Sequence, residues 1–421
     1  MPRACLFALL SLFLATAGWA LPRPPQAKSE PSAQPAQVLV MLRAPAPHFQ
    51  PAGAYGGAGY RGAPGEAGRR RVAQQLAREH GLVLIDDWPM PSLGVDCFVM
   101  RAAGGVSTAQ LAADLAKDAR VESAQPMQMF HALGRAGHGD PLYTLQLAAA
   151  RWHLAELHEV ATGKGVVIAV IDSGVDAVHP ELRGQVTMTR NFVDGDRYRA
   201  EMHGTAVAGI VAANGLGIAG IAPEARVLAL RACWERQDAA TECNSFTLAK
   251  ALQFALEQHV DVLNLSLAGP RDQLLERLLG VAMAHRMAVV GAVDPSDAAN
   301  GFPAACPGVI AVVGDRTGLV PHGALVAPER DIPAPVPGGG FELVNGTSFA
   351  TAQVSGLVAL MLETSPRLDD TRLQTAMMPQ TAVGLSVQRP AMIDACMAVA
   401  RTSGRCACDC DAASLTSSVP R

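Results

Sequence analysis

Two rhythms of apolar and polar positions divide the chain. From Val38 to Phe130 short apolar runs alternate with amphipathic stretches. Val38 to Leu42 reads as a strand and Glu66 to His80 as an amphipathic helix. Leu82 to Asp87 and Val95 to Met100 read as strands, Ser107 to Lys117 as a second helix, and Val121 to Met129 as a strand. From about Leu142 the rhythm changes. Val166 to Ile171 is an unbroken apolar run, as expected of a strand covered on both faces, and Val227 to Leu230, Val262 to Leu267, Ala288 to Val293 and Val309 to Val313 look alike. Helical patterns lie between them over Thr205 to Ala213, Phe246 to Gln258 and Gln273 to His285, and a long apolar one over Ser348 to Leu362.

The front order, β-α-β-β-α-β, is that of a small ferredoxin-like α+β domain. The back order, strands alternating with helices, predicts an α/β domain: a parallel sheet with helices on both faces. Ahead of both, Arg3, the apolar stretch Leu6 to Ala15 and the small residues up to Ala20 have the layout of a secretory signal peptide, too short to be a comfortable membrane span. The expected map is a signal peptide over 1–20, a Pro- and Ser-rich linker over 21–37, the small domain over 38–130, a Gly-rich linker over 131–141, the large domain over 142–401, and a polar Cys-containing tail over 402–421. No later segment is apolar for long enough to cross a membrane, so no membrane partner is expected once the signal is cut.

Charge and cysteines narrow the partners. A net charge of −4 argues against nucleic acid, which needs a basic footprint. The one dense basic run, Arg69-Arg70-Arg71, lies in a helical pattern and reads as a solvated face. Nine cysteines suit an oxidising compartment. Cys5 leaves with the signal, and Cys233 and Cys243 flank a polar loop that a disulfide would close. Cys406, Cys408 and Cys410 crowd the tail. With Asp409 and Asp411 they could be read as a metal site, but tail disulfides or disorder are the stronger readings, and no metal site is assigned.

Three short motifs fall where an α/β fold puts chemistry. Asp172 follows the buried strand Val166 to Ile171, at the carboxyl end where such sheets bind ligands. His203 opens a helix in His203-Gly204-Thr205, and Ser348 opens another in Gly346-Thr347-Ser348. Singly each is weak: an Asp after a strand is commonly a turn residue, and Gly-Thr-Ser is commonly a loop. Together they supply a hydroxyl nucleophile, a base near neutral pH, and an acid to orient that base, with the Ser348 N–H as an oxyanion donor.

From about Leu142 to Leu362 the chain resembles the subtilisin-like (subtilase) family, which has the same chain order Asp, His, Ser. The likeness extends to His179-Pro180-Glu181-Leu182, Gly217 to Pro223, Leu263 to Leu267 and Phe302-Pro303-Ala304. It implies a secreted, self-processed serine endopeptidase acting on polypeptides through Asp172, His203 and Ser348. It also implies that Ser266, Leu267, Ala268 and Gly269 form a rim that pairs with extended substrate. The front domain would be a prosegment that assists folding and inhibits the enzyme until cut off, with residues 131–141 as the processing linker. Cys97 would leave with it, and of the seven cysteines then remaining at least one must be free or paired between chains. The chemistry requires no cofactor; structural calcium is left open.

Departures from the family matter. Met202 stands where Gly usually precedes the catalytic His, and Ala352 and Gln353 stand where Pro and often His follow the Ser. Asp294 stands where the family commonly has an Asn that donates to the oxyanion, and an ionised carboxylate only accepts. Burial beside an apolar strand end is expected for Asp294; Asn300 is a substitute if the loop is rearranged. Asp294 motivates an alternative, a subtilase-fold protein that binds with little or no turnover. An esterase would carry a Gly-x-Ser-x-Gly elbow and the order Ser, Asp, His.

Overall fold

The computed structural model describes residues 37–43, 66–102, 107–132, 135–137, 146–193, 197–297, 301–316, 323–378, 392–406 and 408. The expected signal peptide, most of the linker after it, Asn300 and the end of the tail lie outside these residues.

The front rhythm folds as β1 (Gln37–Arg43), α1 (Glu66–Glu79), β2 (Val83–Met90), β3 (Val95–Arg101), α2 (Thr108–Leu115) and β4 (Ser123–Pro126). Their sheet has the order β2-β3-β1-β4, all antiparallel, as the ferredoxin-like reading requires. Alternation along β1 explains why it is apolar throughout. Val38, Val40 and Leu42 pack with α1 and α2, whereas Leu39 and Met41 face the other way, into a core shared with the large domain.

The predicted strand over Val121 to Met129 is two strands in two sheets. Pro126, with no N–H for the ladder, ends β4. The chain then continues as β5 (Met129–Ala132) and β6 (Arg135–Gly137), so the segment expected to be a linker carries strand pairings.

Then come α3 (Leu147–Arg151), α4 (Leu154–His158), β7 (Val167–Asp172), β8 (Val186–Asn191), α5 (Met202–Ala212), β9 (Arg226–Arg231), β10 (Cys233–Glu235), β11 (Thr241–Asn244) and α6 (Ser245–Glu257). After these follow β12 (Val262–Leu265), β13 (Leu267–Ala268), α7 (Gln273–Ala284), β14 (Ala288–Ala292), β15 (Ile310–Gly314), β16 (Leu325–Ala327), β17 (Ile332–Val336), β18 (Gly340–Asn345), α8 (Thr347–Thr364), α9 (Asp370–Met377) and α10 (Ala395–Ser403). Seven strands form a parallel sheet in the order β16-β15-β14-β12-β7-β9-β8. Helices α5 and α8 cover one face and α6 and α7 the other.

Local signals place the helices. The Asn244 side chain caps α6 in a reciprocal box with Thr247, and Asp272 caps α7 through Leu275 N–H. The edge strand β8 escaped the apolar pattern because most of its side chains are exposed. The predicted strand Val262 to Leu267 breaks at Ser266, where β12 leaves the parallel sheet and β13 joins β5. The buried Glu181 carboxylate anchors the loop after α5 by accepting N–H bonds from Leu216, Gly217 and Ile218.

The small sheet packs its second face on α6 and α7. Polar contacts join in: Gln125 Oε1 accepts from Leu274 N–H at 3.1 Å, Gln253 donates to Ser92 at 3.0 Å, and Arg277 pairs with Glu122 at 3.0 Å. The Lys250 ammonium lies 5.4 Å from the Trp88 ring centroid and 4.5 Å from that of Phe246. Burial lowers the Lys250 pKa.

Candidate active site

Sheet order reverses between β7 and β12, and the site sits at the carboxyl ends of those strands. Asp172, the last residue of β7, is 1 % exposed; its Oδ1 accepts Nδ1–H of His203 at 2.7 Å and the Ser173 N–H at 2.6 Å. His203 lies in the first turn of α5. A Cβ on Gly204 would collide with the Ser173 carbonyl, so glycine is what lets the helix start this close to β7. The proton on Nδ1 leaves Nε2 as the free base nitrogen, and Nε2 is buried with no hydrogen-bond partner.

Ser348 enters from the other side. Gly346, at φ 136°, takes a conformation that side chains disfavour and turns the chain from β18 into α8, placing Ser348 in its first turn. The His203 ring lies 5.2 Å from that of Phe349. The Ser348 hydroxyl donates to the Ser266 carbonyl at 2.7 Å rather than to His203. The Ser266 hydroxyl sits 2.8 Å from the Ser348 carbonyl and 3.0 Å from Asn264 Oδ1. Asn264 in turn donates to Ser355 of α8 at 2.9 Å. The structure thus brings Asp172, His203 and Ser348 to one place, with the hydroxyl turned aside.

Behind Asp172 and His203 is a charged network that the sequence reading missed. Arg231 ends β9 directly opposite Asp172 and is fully buried. Its guanidinium binds Glu201 through two bonds, at 2.8 and 2.9 Å, and Asn191 at 3.0 Å. Glu201 also accepts the Gly174 N–H at 2.8 Å. Burial alone would raise the Glu201 pKa, but the guanidinium and the Gly174 N–H hold it below the usual carboxylate value. The Glu235 carboxylate accepts the His203 backbone N–H at 2.7 Å, and burial raises its pKa. One sequence signal was available: an arginine closing an otherwise apolar strand needs an anionic partner.

The expected rim is occupied by the chain's own backbone. Leu267 and Ala268 pair with Ala132 and His131 of β5, whose other edge pairs with β11 from Met129 to His131. Gly269 exchanges two backbone hydrogen bonds with Phe302, at 2.8 and 3.0 Å. A Cβ on Gly269 would strike the ring of Phe130, which is buried edge-on to Phe302 at 5.3 Å. Residues 135–137 then pair with Asn345, Val344 and Leu343 of β18, the strand leading to Ser348. Strands β5 and β6 thus pair with β13, next to Ser266, and with β18, the strand that leads to Ser348.

Cys233 and Cys243 are joined by a disulfide across β10 and β11, and Cys396 is joined to Cys408. Cys97 and Cys306 are buried thiols. Replacing Cys233 and Cys243 together by Ser is expected to cost about 2–3 kcal/mol on loop-entropy grounds. Denaturant unfolding of the mature double variant checks this; an unchanged midpoint contradicts it.

Asp294 follows β14 but is half-buried, not enclosed. Its Oδ1 accepts the Ser296 N–H at 2.8 Å and the Ser296 hydroxyl at 2.7 Å, folding the carboxylate into its own turn. The apolar enclosure expected from the sequence is absent because the chain turns outward immediately after Val293. Among the described residues no group of three or more His, Cys, Asp and Glu side chains could hold a metal ion, and no helix is long and apolar enough to cross a membrane.

Residues 163–395 match the model of the subtilase family. The chain belongs to that family, the subtilisin-like serine proteases. It is 34 % identical over 222 residues to an intracellular serine protease of Paenibacillus polymyxa, covering 47 % of this chain and 67 % of that protein. It is 33 % identical over 227 residues to subtilisin E of Bacillus subtilis, covering 49 % of this chain and 57 % of the relative, so it spans little more than half of the latter's length. Fervidolysin of Fervidobacterium pennivorans, a keratinolytic enzyme related to subtilisin, shares the fold with a TM-score of 0.66 at 19 % identity, over 87 % of this chain and 61 % of that one.

Proposed function

We propose that the protein is a secreted serine endopeptidase, made as a precursor and cut by its own site. Asp172 holds the proton on Nδ1 of His203 and stabilises the imidazolium. Rotation about the Ser348 Cα–Cβ bond moves its hydroxyl from the Ser266 carbonyl towards Nε2, which takes the proton as Oγ attacks the scissile carbonyl. The Ser348 N–H, in the first turn of α8, donates to the oxyanion. His203 then protonates the leaving amine, and the acyl-enzyme is released by a water that His203 deprotonates. No step calls for a metal or cofactor.

The observation that carries this reading is the pairing of β5 and β6 with strands beside Ser348. Substrate peptides bind by adding a strand to an exposed edge, and β5 and β6 add strands on either side of Ser348. The proposed scissile bond lies between Ala132 and Arg135, the ends of the two paired strands. The small domain, resting on α6 and α7 and feeding β5 into the groove, is read as the prosegment and as an intramolecular inhibitor until it leaves.

The second reading, binding with little turnover, rests on Asp294, which offers no donor where one is wanted. A serine-directed phosphonate separates the two. The endopeptidase reading expects one adduct per chain, on Ser348, with casein hydrolysis lost in proportion. A protein that takes the label but leaves casein intact before labelling supports the second.

A further inference from the structure

The first N–H groups of a helix have no partner within it, and in α5 one of them belongs to the backbone of His203. The N-cap residue, Glu201, makes no side-chain cap. Its carboxylate is engaged by Arg231 and by the N–H groups of Gly174 and Glu235. A carboxylate from outside the helix meets the need: Glu235, the last residue of β10, accepts the His203 N–H at 2.7 Å. The same strand is tied through Cys233 to Cys243 of β11, the wall of the groove against β5. One short strand thus links the substrate wall to the backbone of the base.

We infer that Glu235 is a positioning residue for His203: its carboxylate fixes the backbone of the base and sets a second anion, besides Asp172, near the imidazolium that forms in turnover. The inference rests on the reading of His203 as the base. The charged groups that face Glu235 are Asp172 at the end of β7, His203 in the first turn of α5 and Glu201 at its N-cap, whose own carboxylate is taken up by Arg231 and Arg199. Burial, then the nearby Glu201 and Asp172, raise the Glu235 pKa, while the His203 N–H and imidazole lower it. Its charge is therefore present at neutral to alkaline pH and is lost on acidification, starting above the usual glutamate range.

Two substitutions separate tether from charge. Glu235→Ala removes both and should lower kcat about tenfold with KM within twofold, the scale of one hydrogen bond to a charged group. Glu235→Gln keeps an acceptor oxygen and should lose only roughly threefold, a smaller loss because only the charge goes. Active sites are counted by burst titration, so poor maturation does not pass for slow turnover. A structural role alone would not reach the charge of the base, and an NMR titration of the His203 ring protons reads that without turnover. It is done in Ser348→Ala protein with and without Glu235→Gln. The midpoint should fall when the charge is removed, because an anion near the imidazolium is lost. An unchanged midpoint overturns the inference whatever the kinetics give, as does a rise in KM with kcat intact. Wild-type protein inert towards peptides would defeat the endopeptidase reading instead, and the titration would still decide on Glu235.

Discussion

Ser348→Ala is expected to leave one continuous chain from the small domain through α10, while the wild type is expected to be cut between Ala132 and Arg135. The backbone pairs from β5 to β11 and β13, and from β6 to β18, involve no Ser348 side-chain atom, so the groove should remain filled and only the attacking oxygen is missing. On an added peptide kcat should collapse. Loss of the nucleophile in subtilisin itself costs about 10⁶ in kcat, a measured value for that enzyme used here as the scale. Electrophoresis and intact mass of a pure preparation check the first half. A Ser348→Ala chain cut at the same place in pure form would contradict self-processing.

Asp294→Asn is expected to raise kcat. In the wild type Oδ1 is held by Ser296. An Asn could keep its oxygen there while presenting an N–H₂ in place of the second carboxylate oxygen, turning an acceptor into a donor without rebuilding the turn. In subtilisin itself, removing such a donor costs about 10²–10³ in kcat; that measured range is an upper bound for the gain here, and a rise of about tenfold is the expected outcome. The rise should appear in kcat more than in KM, since an oxyanion exists only in the transition state. Profiles of kcat from pH 5 to 9 on one substrate check it, and an Asn variant no faster at any pH would remove position 294 from the oxyanion account.

Much of this was legible in the chain because burial imposes periodicity. β7, β12, β14 and β15 lie between two helical layers and had to be apolar, and Asp172, His203 and Ser348 stand at the ends of elements marked by glycine. Elements whose stability comes from the edge of another strand were illegible. β8 and β10 to β11 carry polar side chains, and β17 carries two prolines. β5 and β6 are strands only because β11, β13 and β18 offer them backbone partners, a condition no local pattern encodes. Glu235 and the Arg231–Glu201 pair were missed for a related reason: their roles depend on the register of β9 against β7 and on where the end of β10 meets α5, which the fold sets. The surroundings of Asp294 were not legible, since one turn after β14 decides whether its carboxylate is enclosed or folded back on Ser296.

Self-processing as proposed requires that Asp172, His203 and Ser348 cut their own chain between β5 and β6. The most direct measurement is the mass of the first amino-terminal fragment released from freshly folded precursor, with its rate of release followed over a hundredfold dilution. The account predicts a fragment ending between Ala132 and Arg135, with a half-time that does not change on dilution, because the cut is made within one molecule. A first cut elsewhere, or a half-time that lengthens in proportion to dilution, would contradict it.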